Sequence, residues 1–271
     1  MTRIDRRALF TSGAAAALLA ASGVSAKARP SRGGVLRMAV PRDGSLARIA
    51  RGAAFDGLTE IGPDGILRPD LALAWQSNPG ATEWTFGLRR DARFSDGTPF
   101  QARHVSTALG ALPDLQEVRV LDAHSLQVTL TRGNPDLPVL LADTAFAIGL
   151  PLDGTEYGTG VYHVTRMDEV RHLQAMRVAQ HYKDGHAGWA DRIDVVVIPD
   201  PVVRAEALRD GYVDLAYLPD ATVLDGSDRY QFHPAADRLA IAARHGVGIP
   251  PVVSARSPLD DGRIAARWWI A

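Results

Sequence analysis

The 271-residue chain contains no cysteine. That excludes disulfides, a thiol nucleophile, a cysteine-ligated zinc or iron–sulfur centre, and the cysteine-borne lipid anchor of exported proteins. Neither charge is in excess. The 30 Lys and Arg stand against 31 Asp and Glu, a formal net charge of −1, so no basic surplus points to nucleic acid as a partner. Beyond residue 28 no apolar run approaches the roughly 20 residues that a membrane-crossing helix needs. No Gly-x-Ser-x-Gly or other local nucleophile signature occurs, so no motif supports an enzyme. The chain after the leader also lacks internal repeats and low-complexity tracts. What is present is core-forming material. Hydrophobic residues make up 46% and charged residues 23%, enough for one large domain or two small lobes.

Residues 1–28 read as an export signal. Arg3, Arg6 and Arg7 form a positive start, residues 8–24 an Ala-rich apolar stretch, and residues 24–28 a small-residue cleavage region. Arg6-Arg7 followed by Ala8-Leu9-Phe10 resembles a twin-arginine signal, with Asp5 and Leu9 departing from the usual pattern. The expectation is a mature protein that is soluble and periplasmic.

Residues 33–40 and 83–90 read as strands, the second with Trp84, Phe86 and Leu88 on one face at period two. Residues 118–130 read as a hairpin turning at Asp122 to Ser125. Residues 158–164 read as a glycine turn entering a strand, with Trp75 and Trp84 as core. The β-branched run at 192–200 is expected to be buried on both faces. Residues 200–211 read as a helix, with Asp200 as cap, Pro201 at the first position and Gly211 as stop. Within 93–105, Asp96-Gly97 is a turn. Thr98, Pro99 and Gln101 form a capping box for a helix whose buried face is Val105, Ala108, Leu109 and Leu112. Intermixed strands and helices give an α/β (mixed α+β) class. His181 and His186 flank Tyr182-Lys183-Asp184-Gly185 at a spacing that shares no helix or strand face. That stretch is expected to be a solvated turn and not a metal site.

Residues 83–105, Glu-Trp-Thr-Phe-Gly-Leu-Arg-Arg through Phe-Ser-Asp-Gly-Thr-Pro to His-Val, resemble the signature of the family 5 extracellular solute-binding proteins. These are the periplasmic dipeptide-, oligopeptide- and nickel-binding components of ABC importers. The matching positions are Trp84, Thr85, Phe86, Leu88, Arg89, Phe94, Asp96, Gly97, Pro99, Ala102 and Val105, with His104 where an acidic residue is usual. Residues 68–75, 158–162, 181–217 and 257–271 resemble further family segments in collinear order, with Val161, Gly262 and Ile264 departing from them.

The resemblance implies a periplasmic-binding-protein type II-like fold, first lobe only, with mixed sheets and flanking helices. It implies a lobe over 29–253, a subdomain over 54–150 within it, and over 254–271 the start of a crossover to a second lobe that this sequence does not contain. It implies a non-catalytic, cofactor-free protein that captures a small peptide or nickel chelate and delivers it to an ABC permease in the cytoplasmic membrane. The turn before Tyr162 lies near the family's cleft, which makes Thr159, Gly160 and Tyr162 the candidate ligand contacts, with core packing the competing reading of Tyr162. Trp268 and Trp269, left exposed, would promote self-association; folded back, they would not. The alternative function is a truncated or degenerate paralogue that no longer binds solute and serves at most as an interaction module.

Overall fold

The computed structural model of the protein describes residues 30–168, 170–224, 229–234, 240–250 and 263–270. The expected export signal at 1–28 lies outside them. The described residues from Ser31 onward form one compact unit.

Strand β1 (Val35–Val40) leads into helix α1 (Ser45–Ala54). Leu46, Ile49, Ala50 and Ala53 recur at helical spacing and form its buried face. A short hairpin, β2 (Thr59–Ile61) and β3 (Leu67–Pro69), precedes four antiparallel strands: β4 (Ala72–Ser77), β5 (Glu83–Leu88), β6 (Leu115–Asp122) and β7 (Ser125–Leu130). These pair in the order β4-β5-β7-β6. Trp84, Phe86, Leu88, Leu126, Val128 and Leu130 fall on one face at period two and are all buried. With Phe94, Phe100, Val105 and Leu109 they make a core spanning residues 58–148.

The helix inside this core starts later than the sequence suggests. The Phe94 N–H donates to the Thr98 carbonyl (2.9 Å), and Arg93 bridges Pro99, so Thr98 closes a tight turn and starts no helix. Asp96 holds that turn by accepting from the Thr98 N–H (2.9 Å) and hydroxyl (2.7 Å), while Gly97 takes φ +91°, the left-handed region that glycine tolerates. The helical turns begin at Ala102. The Gln101 N–H donates to His104 Nδ1 at 3.0 Å, and α2 (Val105–Ala108) follows. The reciprocal cap is therefore Gln101–His104, three residues beyond the expected one.

After α3 (Leu137–Leu140), a hairpin of β8 (Gly149–Leu152) and β9 (Thr155–Gly158) returns the chain to the large sheet. There β10 (Tyr162–Asp168), β11 (His172–Arg177) and β12 (Arg192–Val197) precede α4 (Pro201–Arg209), and β13 (Leu215–Leu218), β14 (Tyr230–Pro234) and β15 (Ala240–Arg244) follow it. The order is β10-β11-β12-β1-β13-β15-β14, with β1 parallel to β12 and β13 and the other pairs antiparallel. Leu36, Met38, Val40, Leu173, Ala175, Ile193 and Val195 face α1 and form the second core. On the opposite face, small residues Ala39, Ala216 and Ala242 let α4 approach through Ala205 and Leu208.

β12 is not buried on both faces as expected. It alternates, and Val196 is 38% exposed, because α4 packs on β1 and β13 and leaves the outer face of β12 open. The ends of α4 are as expected: the Asp200 carboxylate accepts from the Val202 N–H (2.8 Å), Pro201 is first, and Gly211 follows the last turn. Asp200→Ala is expected to lower stability by about 1 kcal/mol in urea denaturation, the usual loss for a removed cap.

Helix α5 (Ile264–Arg267) is followed by β17 (Trp269–Ile270), which pairs with β16 (Val247–Gly248). Trp268 is fully buried in the large-sheet core, edge-on to His233 at 5.6 Å, and Trp269 is 5% exposed and meets Trp189 at 6.4 Å. Self-association through an exposed Trp268–Trp269 pair therefore loses its premise, since both indoles are already covered by the chain itself.

Candidate functional site

The turn from Gly158 to Tyr162 is threaded tightly against the end of α1. The Gly160 N–H donates to the Ala54 carbonyl and the Ser95 N–H to the Gly158 carbonyl, both at 2.9 Å. A Cβ on Gly158 would fall 1.9 Å from the Ala54 oxygen, and one on Gly160 would fall 2.4 Å from the Ala54 carbonyl carbon. Both positions therefore require glycine through close backbone approach. Thr159 is fully buried between them and donates from Oγ1 to Asp56 Oδ2 at 3.2 Å. Tyr162 lies in the large-sheet core, wholly buried, with its hydroxyl donating to the Ala190 carbonyl at 2.9 Å. Burial raises its pKa well above the ordinary phenol value. Of the three candidate ligand contacts, Gly160 borders an open cleft, Thr159 faces a buried charge cluster and Tyr162 faces the core.

That charge cluster occupies the seam between the two cores. The Lys183 ammonium lies 2.8 Å from Asp56 Oδ1, 3.0 Å from Glu60 Oε2 and 2.8 Å from Asp70 Oδ1. The ammonium donates hydrogen bonds to Asp56 and Glu60 and meets Asp70 as an ion pair. Arg267 approaches Glu60 at 3.8 Å, and Arg263 reaches across to the Ala142 carbonyl at 2.9 Å. Tyr182 donates to Asp70 Oδ1 at 2.7 Å, its ring stacked on His181 (4.2 Å) and covered by the Arg89 guanidinium (4.1 Å). His181 Nδ1 accepts from the Lys183 N–H at 3.0 Å, which fixes the proton on Nε2. Nε2 then donates to the Thr159 carbonyl at 2.7 Å.

The 181–186 stretch is thus not a solvated turn at its start. The side chains of His181 and Lys183 are 4% and 16% exposed, because they cap the buried carboxylates. His186 is exposed, as expected. Among the described residues no group of three or more His, Asp or Glu is arranged to hold a metal ion.

Burial and charge oppose one another in this cluster. Burial by itself would raise Asp56, but the Lys183 ammonium and the His181 hydrogen bond hold its carboxyl well below the usual range. Glu60 is also lowered: burial is outweighed by Lys183, Arg263 and Arg267. For Asp70 burial wins. Reinforced by the neighbouring Asp56 and Glu60 charges, it outweighs the attraction of Lys183 and pushes the carboxyl up to about 6. Lys183 itself is raised: burial would lower it, and Asp56, Asp70 and Glu60 more than compensate.

Beside the cluster lies a cleft of about 440 Å³, lined by Asp91, Arg93, Ser95, Gly160, Gln180 and Tyr182 among others. The clustered charges are consumed by one another, so this region fixes geometry, while the cleft offers mixed polar and apolar walls at small-solute size. The sequence carried a weak sign of the cluster. Asp56 and Asp70 interrupt the apolar stretches around Ala53–Leu58 and Leu71-Ala72, and an acid in a buried run needs a partner.

Comparison with known proteins fits this architecture. The structure of AgaA in complex with agropinic acid, from A. tumefaciens R10, superposes with a TM-score of 0.67 at 23% identity over 74% of this chain and 48% of that one. NikZ from Campylobacter jejuni in complex with Ni(L-His) gives 0.62 at 21% identity over 74% and 48%. The fold is thus the mixed α/β fold of type II periplasmic binding proteins, over about half of those chains. In sequence, the nickel-binding periplasmic protein of Escherichia coli K12 is 27% identical over 211 residues, which are 69% of this chain and 40% of that protein. Residues 67–235 match the family described as bacterial extracellular solute-binding proteins, family 5 Middle, and the chain belongs to that family. It spans less than half the length of these relatives, which are binding proteins.

Proposed function

We propose that this chain is the exported solute-binding component of an ABC importer. It takes up a small peptide or nickel chelate without catalysis and presents it to a membrane permease. The observation that carries this reading is the family match over residues 67–235. Among the described residues no helix is long and apolar enough to cross a membrane, which suits a chain released after export. Residues 1–28 serve as its twin-arginine export signal and the periplasm is its compartment. Residues 29–253 act as the first lobe, and the separate core over 58–148 supports a subdomain at 54–150. In this reading Gly160 contributes through its backbone at the cleft, Thr159 supports the cleft by fixing Asp56, and Tyr162 holds the strand beneath it.

Titration calorimetry of the chain without its signal tests this reading, with dipeptides, oligopeptides and nickel–histidine as the panel. Saturable binding of one class is the expected result. Silence across the whole panel contradicts it and favours the interaction-module alternative.

A further inference from the structure

The three carboxylates around Lys183 are not equivalent, and the difference lies in their hydrogen bonds. Asp56 has donors at both oxygens: Lys183 at Oδ1 (2.8 Å) and Thr159 at Oδ2 (3.2 Å), with the His181 ring 3.5 Å from Oδ2. Glu60 accepts from Lys183 at Oε2 (3.0 Å), and the Arg267 guanidinium lies 3.8 Å from Oε1 as an opposite charge without a hydrogen bond. Asp70 accepts a hydrogen bond from Tyr182 and meets the Lys183 ammonium as an ion pair, and both contacts lie on Oδ1. Among the described residues its buried Oδ2 has no hydrogen-bond partner, and the residue is fully inaccessible. A bare carboxylate oxygen with no donor, in a site already holding two other carboxylates, is costly; a protonated one is much less so.

We infer that Asp70 is the proton-binding member of the cluster, so that the seam between the two cores is a pH-operated latch that holds best with Asp70 protonated. Every charged or titratable neighbour is part of the balance. Asp56 and Glu60 face Asp70 from the 54–61 segment, and Lys183 and Tyr182 from the loop after β11, where His181 lies against Asp56 and the Tyr182 ring. Arg89 reaches its carbonyl from the end of β5, and Arg263 acts on it from the turn before α5.

The sign follows from linkage. Asp70 is raised in the folded chain to about 6. The stability it contributes is therefore fully present below the ordinary aspartate pKa and is lost as pH climbs through about 6. Asp56 and Glu60 are lowered, so their contribution appears above the ordinary carboxylate range and fades only in acid. Together they place a stability maximum between the two windows, on the acidic side of neutral.

Urea denaturation of the wild type and Asp70→Asn, an isostere of the protonated form, tests the latch. From about pH 5 to about pH 7.5 the wild-type folding constant is expected to fall about tenfold more than that of the variant. Parallel profiles for the two chains overturn the proposal. Should Asp70→Asn fail to fold, the carboxyl carbon of Asp70 is followed by NMR in the wild type. An inflection near 6 supports the latch, and one below about 4 overturns it.

Discussion

Replacing Lys183 with methionine is expected to cost about 3–5 kcal/mol at neutral pH, the loss found when one partner of a buried ion pair is removed. Methionine matches the length and much of the volume of lysine, so packing is largely kept and the effect is electrostatic. Asp56, Glu60 and Asp70 would remain buried without the ammonium that all three share. The loss should also grow with pH. In the variant, burial raises the carboxyls with only the more distant Arg263 and Arg267 to oppose it, so they are protonated and tolerable in acid and ionised and costly near neutrality. Urea midpoints of both chains across this range check the expectation. A loss under about 1 kcal/mol, independent of pH, would place Lys183 among ordinary surface pairs.

Gly158→Ala should be nearly as damaging, for a steric reason. The new Cβ would sit 1.9 Å from the Ala54 carbonyl oxygen and 2.7 Å from the Phe55 ring. That oxygen cannot swing aside freely, because it accepts the Gly160 N–H that holds the turn against α1. Overpacking of this kind costs about 1–3 kcal/mol when side chains can adjust, and backbone contact belongs at or above the top of that range. A loss of about 3 kcal/mol corresponds to a drop in Tm of about 6–12 °C for a domain of this size. Gly110→Ala is the control: it has open space around it and should move Tm by little. Equal effects of the two substitutions would show that the turn is not seated as described.

Much of the fold was legible because its signals are local. Period-two alternation at Trp84, Phe86 and Leu88 and the Asp200-Pro201…Gly211 frame each report on residues a few positions apart. The capping box failed on a tertiary effect: pairing of Phe94 with Thr98 and of Arg93 with Pro99 took the Thr-Pro pair into the turn and moved the helix start to Ala102. β12 failed similarly, since its β-branched run gives no sign of where α4 stops covering the sheet. The charge cluster was the least legible part. Lys183 and Asp56 are 127 positions apart, and Tyr182 and Asp70 are 112 apart. No periodicity links residues at such separations. The only trace is acids lodged in apolar runs, and that trace asks for a cation without naming Lys183.

The central structural claim is that one ammonium ties the small-sheet core to the large-sheet core. Native-state amide hydrogen exchange tests it most directly, comparing the slowest amides of β5 and β7 with those of β1 and β12. In the wild type the two sets should share one opening free energy, and in Lys183→Met they should separate. Independent opening of the two cores in the wild type, or an unchanged common opening in the variant, would contradict the claim.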